Sequence, residues 1–190
     1  MIVLASQSPR RHQLLEMLGI PHRVDPAHLD EDPRENETPR LYALRLAQEK
    51  AIEVSRRNAG QLVLAADTVV VLGTELLGKP SSAEDARQML TRMSGRRHDV
   101  VTGVVLTDGT RVMDRLDVTA VWFRDLTTEV IRGYVATGDP LDKAGSYGIQ
   151  GCGAVLVDRI EGDYFGVMGL PLRLVVELLA EAGIPYRFTR

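Results

Sequence analysis

Between Leu62 and Leu72 the chain is apolar and rich in Val and Leu, with one carboxylate, Asp67, in the middle of the run. Such a run, closed by Gly73, predicts a strand buried in a sheet. Ile2 to Ala5 predicts a shorter strand, and Leu14, Leu15 and Leu18 mark the apolar side of a helix closed by Gly19. Ser8 stands where that helix needs an N-cap, with Pro9 at its first position. His22 to Val24 predicts another strand. Residues 25–39 are acidic and proline-marked, which predicts a surface loop whose carboxylates are mostly solvated. Thr38-Pro39 then opens a helix with Leu41, Leu44, Ala47, Ala51 and Val54 at helical spacing and Gly60 at its end. Lys50 lies on its apolar side, where a lysine either snorkels or reaches into a site.

The second half alternates in the same way. Gly73-Thr74 predicts a hairpin turn, with Lys79 just after the return strand. Ser81 to Glu84 reads as a capping box for a helix through Met93, with Met89, Leu90 and Met93 as core packing. His98 to Leu106 and Arg111 to Phe123 predict two strands joined by the Thr107–Thr110 turn. Thr127 or Thr128 caps a helix that ends near Gly138, since Pro140 blocks its continuation. Ala154 to Ile160 predicts a strand. Gly169-Leu170-Pro171 opens a last helix, with Leu174, Val175, Leu178 and Leu179 on its apolar face. Alternating strands and helices with an antiparallel hairpin make the class α/β, and no linker divides residues 1–190 into more than one domain.

Composition changes this picture little. The chain is 44% hydrophobic and 26% charged with a net charge of −3, which supports neither a nucleic-acid polymer nor a membrane as partner. No apolar run is long enough to span a bilayer, and the first residues do not form a signal peptide. The lone cysteine, Cys152, cannot form an internal disulfide and suits a reducing, cytoplasmic location. Between two glycines it is expected to be a small packed residue. The chain is compatible with a homodimer.

Candidate chemistry begins with Asp67. A carboxylate buried in a strand needs a cation, a metal or several donors. It either caps local amides or serves as a catalytic or metal-holding group. Cations elsewhere favour the second. Ser6-Gln7-Ser8-Pro9-Arg10-Arg11 places two hydroxyls and two arginines at a strand-to-helix turn, where free amides and the helix dipole attract an anion. Gly73 to Lys79 fits the start of a phosphate-binding P-loop, but Pro80 stands where Ser or Thr should hold the metal, so that reading fails. Residues 142–153 carry four glycines, which allow close backbone approach to a ligand. Clustered cations, the carboxylates Glu31 and Asp67 and this loop suggest a polyanion with a divalent metal. His98, alone at a strand start, reads as structural.

Several segments taken in order resemble the Maf family of nucleoside triphosphate pyrophosphatases along nearly the whole chain. They are Leu4-Ala5-Ser6-Gln7-Ser8-Pro9-Arg10-Arg11, Leu46 to Ala51, Ala66-Asp67-Thr68-Val69-Val70, Gly78-Lys79-Pro80, Ser94-Gly95 with His98, Asp142 to Gly151, and Gly169-Leu170-Pro171. The resemblance implies an elongated mixed β-sheet flanked by helices, with two lobes around a central cleft, as in inosine triphosphate pyrophosphatase-like folds. It implies hydrolysis between the α- and β-phosphates to a monophosphate and pyrophosphate, with Mg²⁺ or Mn²⁺ as cofactor. Asp67 matches the general base or metal-positioning carboxylate, with Glu31 assisting. Ser6, Arg11, Lys50 and Lys79 match phosphate-handling positions. The sequence departs from the family at Tyr164 to Met168, where Ser-Asn-Val-Val is expected.

Arg10, Thr68 and Gln150 match the positions that divide the family by substrate. They resemble the branch acting on dTTP and UTP, which extends to modified pyrimidine nucleotides. The branch acting on 7-methyl-GTP carries an aromatic residue, Gln and Glu there. Chemistry agrees, since Arg10 would repel a cationic base and a Gln amide can match a pyrimidine dione as donor and acceptor. Alternatives of another kind are a non-catalytic nucleotide-binding regulator of cell division and an enzyme cleaving between β and γ.

Overall fold

The strand predicted at Leu62–Leu72 holds the sheet together. A computed structural model describes residues 1–188 and contains one seven-stranded sheet. Its strands are β1 (Ile2–Leu4), β2 (His22–Val24), β3 (Val63–Leu72), β4 (Glu75–Leu77), β5 (Arg97–Thr107), β6 (Val112–Phe123) and β7 (Val157–Glu161). The order is β2-β1-β3-β5-β6-β7, with β4 also on β3. β1 runs parallel to β2 and β3, whereas β3 and β5, β5 and β6, and β6 and β7 pair antiparallel. The helices are α1 (Pro9–Met17), α2 (Pro39–Arg56), α3 (Ala83–Met93), α4 (Thr128–Ala136), α5 (Tyr164–Met168) and α6 (Leu172–Glu181).

β3 is apolar on both sides because both sides are covered. Val63, Ala65, Val69 and Val71 pack under α2 with Ala43, Leu46, Ala47, Ala51 and Val54. Leu64, Ala66, Val70 and Leu72 point the other way into the main core, with side chains of α1, α3, α4 and α6. The two-residue repeat of a strand therefore sends Asp67 toward α2 and Thr68 to the opposite face. Across the ladder from Asp67 stands Gly103. A Cβ there would meet the Ala43 carbonyl oxygen at 2.7 Å, so glycine lets the α2 backbone lie directly on the sheet.

Local expectations needed several corrections. Residues 154–156 belong to a 3₁₀ helix, Gly151–Leu156, and the strand starts at Val157, because β6 ends at Phe123 and offers no partner earlier. The same 3₁₀ helix buries Gly153 and Leu156 and leaves Cys152 exposed, not packed. The cap of α3 lies one residue later than expected, with Ser82 Oγ accepting the Asp85 N–H at 3.1 Å. Ser8 occupies the N-cap position of α1, yet its hydroxyl caps no amide. α5 was not foreseen. Its cap, Asp163, accepts the N–H groups of Phe165 and Gly166.

The acidic loop is also less solvated than expected. Arg45 holds both oxygens of Glu37 at 2.6 and 2.7 Å, and its hydrogen bonds pull the Glu37 carboxyl down to about 2. Asp25 takes Arg57 and Asn58. These pairs, with Arg45 Nη2 on the Asp32 carbonyl, tie the loop to α2.

Candidate active site

β3 pairs with β1 at Val63 and Leu64 and with β4 from Val70 to Leu72. Residues 65–69 have no strand partner on that edge, and a cleft of about 570 Å³ opens beside them. It lies beyond the carboxyl end of β1, where α/β sheets commonly take ligands. Ser6, Ser8, Arg10, Arg11, Glu31, Lys50, Asp67, Thr68 and Lys79 all line it. Groups from three separate stretches of the chain, Ser6 to Glu31, Lys50, and Asp67 to Lys79, thus line one cleft.

Lys50, from α2, is the pivot. Its Nζ stands 2.6 Å from Asp67 Oδ1 and 2.6 Å from Glu31 Oε1. It therefore reaches into the site and does not snorkel. Asp67 is buried, whereas Glu31 is half exposed on its loop. Tyr42 donates its hydroxyl to the Glu31 carbonyl at 2.5 Å and fixes that loop over α2. Burial, then the charges of Asp67 and Glu31, raise the Tyr42 pKa and keep it a donor.

On the other face Arg11 is largely occupied by the protein. Its Nε donates to the Gly169 carbonyl at 2.8 Å, Nη1 to Ser6 Oγ at 3.2 Å and Nη2 to Thr68 Oγ1 at 3.1 Å. A guanidinium has five N–H donors, so two remain. Burial lowers its pKa, with Asp67 acting in the opposite direction. Thr102 donates to the Gly166 carbonyl at 2.9 Å, which leaves Thr68 to donate its proton to Thr102 at 2.9 Å. The Thr68 hydroxyl is therefore a wall that seats Arg11. Lys79 and Arg10 have no hydrogen-bond or ion-pair partner among the described residues, so their charges face the cleft unspent.

A side pocket opens from the cleft between Arg10, Thr68, Tyr147, Gln150, Val167 and Met168. The segment that departs from the family pattern thus supplies two of its walls. Gln150 is exposed and its amide bonds no described residue, so it does not tie down the glycine loop. Arg10, Lys143 and Met168 belong to both the pocket and the cleft. His28, Asp142, Lys143 and Met168 were not singled out from the sequence. The Asp142-Lys143 pair lies within the glycine-rich motif and Met168 within the segment that departs from the family pattern, while His28 carries no local signal.

His98 lies in the core, as expected. Its Nε2 meets the Tyr147 hydroxyl at 2.8 Å, its ring packs edge-on against Phe123 and Tyr147, and Nδ1 has no partner. Burial pulls its pKa down to about 4. The folded state then binds this proton less readily than the unfolded chain, so stability falls as pH drops from about 6.5 towards 4. The loss should reach about 3 kcal/mol at one pKa unit per 1.36 kcal/mol. Denaturant titrations across this range should show it in the wild type and not in His98→Gln.

A family model described as Maf-like protein matches residues 1–182. A protein of Anaeromyxobacter sp. (strain Fw109-5) named dTTP/UTP pyrophosphatase is 52% identical, covering 97% of this chain and 90% of its own. One of Myxococcus xanthus (strain DK1622) with the same name is 52% identical, covering 97% and 94%. Among solved structures, the Staphylococcus aureus Ham1 protein aligns over 98% of this chain and 91% of its own, at TM-score 0.46 and 15% identity.

Proposed function

The chain belongs to the Maf family, and we propose that it hydrolyses dTTP and UTP between the α- and β-phosphates. The observation that carries this reading is the unpaired stretch of β3, where Asp67, Lys50 and Glu31 meet beside the unspent cations Lys79 and Arg10. Cations at such a site spread the negative charge that grows on transferring phosphate oxygens. Asp67 takes the proton of a water whose oxygen bonds to the α-phosphorus. The bond from that phosphorus to the bridging oxygen breaks, and pyrophosphate leaves with that oxygen. Lys79, Lys50 and Arg11 bind the triphosphate, and Ser6 holds Arg11 in place.

The carboxylates fit a divalent cation, Mg²⁺ or Mn²⁺. Both already converge on one positive charge, the Lys50 ammonium. No group of three or more His, Cys, Asp or Glu able to hold a metal occurs among the described residues. Two protein ligands with triphosphate oxygens and water is the usual arrangement for magnesium at phosphates. Asp67 and Glu31 would hold the ion, which supplies charge neutralisation on the phosphates.

For the base, Arg10, Thr68 and Gln150 meet in one side pocket, and the free Gln150 amide can pair with a carbonyl and a ring N–H. Among the described residues no helix is long and apolar enough to cross a membrane. A substrate from the nucleotide pool and an unpaired cysteine support a cytoplasmic site of action. The test is kcat/KM for dTTP, UTP, CTP, GTP and 7-methyl-GTP with identified products. dTTP and UTP should lead by about tenfold or more and yield monophosphate and pyrophosphate. Orthophosphate as the product, or 7-methyl-GTP as the best substrate, would overturn the reading.

A further inference from the structure

The loop bearing Gln150 is held by hydrogen bonds and one close packing contact that none of the proposed substrate contacts uses. Tyr134, on α4, donates its hydroxyl to Asp139 Oδ2 at 2.7 Å and accepts the Gly148 N–H at 3.1 Å. The other oxygen of Asp139 takes the Lys143 ammonium at 3.0 Å, and Asp142 Oδ1 takes it at 2.7 Å. The lysine stem then returns to Gly148, where a Cβ would meet Lys143 Cε at 2.9 Å. Tyr134, Asp139, Lys143 and Gly148 therefore form a ring, closed two residues before Gln150. Tyr134 is 6% exposed, and burial, then its bond to Asp139, raises its pKa so that it remains a donor.

Gln150 has no side-chain bond to any described residue, so the backbone of its loop sets where the side chain starts and the base it meets sets where the amide settles. That position matters for a specific reason. Uracil and guanine both present a carbonyl beside a ring N–H, so an amide that pairs with only those two groups cannot separate them by bond type. Guanine carries that edge on the far side of a fused ring system. At these two groups, the distance between Gln150 and the Arg10–Thr68 side of the pocket tells the two apart.

We propose that Tyr134 is a positioning residue for substrate selection, its hydroxyl fixing the depth at which Gln150 meets the base. This rests on the pyrimidine reading above. Tyr134→Phe removes one oxygen and keeps the packed ring. The ratio of kcat/KM for UTP to that for GTP should fall by about tenfold, while kcat on UTP stays within about threefold of wild type. Asp139→Asn, which weakens the same bond from its other end, should lower the ratio in the same direction. Gln150→Ala should lower it too, and the Tyr134→Phe/Gln150→Ala double variant should fall no further, since both act through one amide. Melting curves check that each variant is folded. A Tyr134→Phe ratio within about twofold of wild type would overturn the inference, as would an equal loss on both substrates or full additivity with Gln150→Ala. Gln150→Ala leaving the ratio unchanged would overturn the pyrimidine reading itself, and this inference with it.

Discussion

Asp67→Asn protein should fold like the wild type and turn over dTTP about 10²- to 10⁴-fold more slowly, the usual contribution of a general base. Asparagine preserves the shape of the side chain and can still accept a hydrogen bond from Lys50, which also keeps Glu31 at 2.6 Å. The lost property is the negative charge that receives the water proton and helps to hold a cation. Glu31 shares the Lys50 ammonium but is half exposed on its loop, so it is not expected to restore the lost charge at the Asp67 position. Steady-state turnover beside a melting curve decides the matter. A folded variant with near-normal turnover would remove Asp67 from the mechanism.

Lys50→Met should lower kcat/KM by about 10²- to 10³-fold, comparable to removing one preorganised charge stabiliser at a transition state. It should also change stability in a way the Asp67 variant does not. Two carboxylate oxygens now meet at one ammonium, and methionine leaves them facing each other without it. Removing one partner of an enclosed ion pair costs about 3–5 kcal/mol. Here the cost should be about 1–3 kcal/mol, since Glu31 is half exposed and water relieves part of the repulsion. Added Mg²⁺ should raise the melting temperature of Lys50→Met more than that of the wild type, because the variant presents the same carboxylates without a competing cation. Activity within about threefold of wild type would show that Lys50 serves the fold and not the reaction.

The two variants separate roles that the geometry joins. Asp67, Lys50 and Glu31 form one contact set, so the effects of single changes will not add. Arg11 stands apart from them. Three of its donors are bound within the protein, so its loss should disturb Ser6, Thr68 and the Gly169 turn as well as the phosphates.

The hydrophobic pattern by itself determined most of the elements. β3 was readable because a strand covered on both faces leaves a nearly continuous apolar run, broken only at Asp67 and Thr68. α2 and α6 were readable because one apolar side repeats every turn. The motif order also led to Asp67, Lys50 and the glycine-rich loop as the places for chemistry. Capping and strand limits near that loop were misplaced, since Ala154 to Leu156 have strand composition and lack a neighbouring strand to pair with.

Only the tertiary structure decided which groups meet and which are already spent. Arg11 and Gly169 lie 158 residues apart in sequence yet share a hydrogen bond, and no local period encodes such a pairing. The stop of β1 at Leu4 and the end of β4 at Leu77 leave one edge of the middle of β3 bare, so the cleft is a property of sheet order. No local signal marks the Tyr134 hydroxyl, whose bonds to Asp139 and Gly148 exist because α4 packs beside the glycine loop. Side-chain periodicity reports which face of an element is buried. Which partner each polar group finds depends on strand order and helix placement, and these are set by contacts between distant parts of the chain.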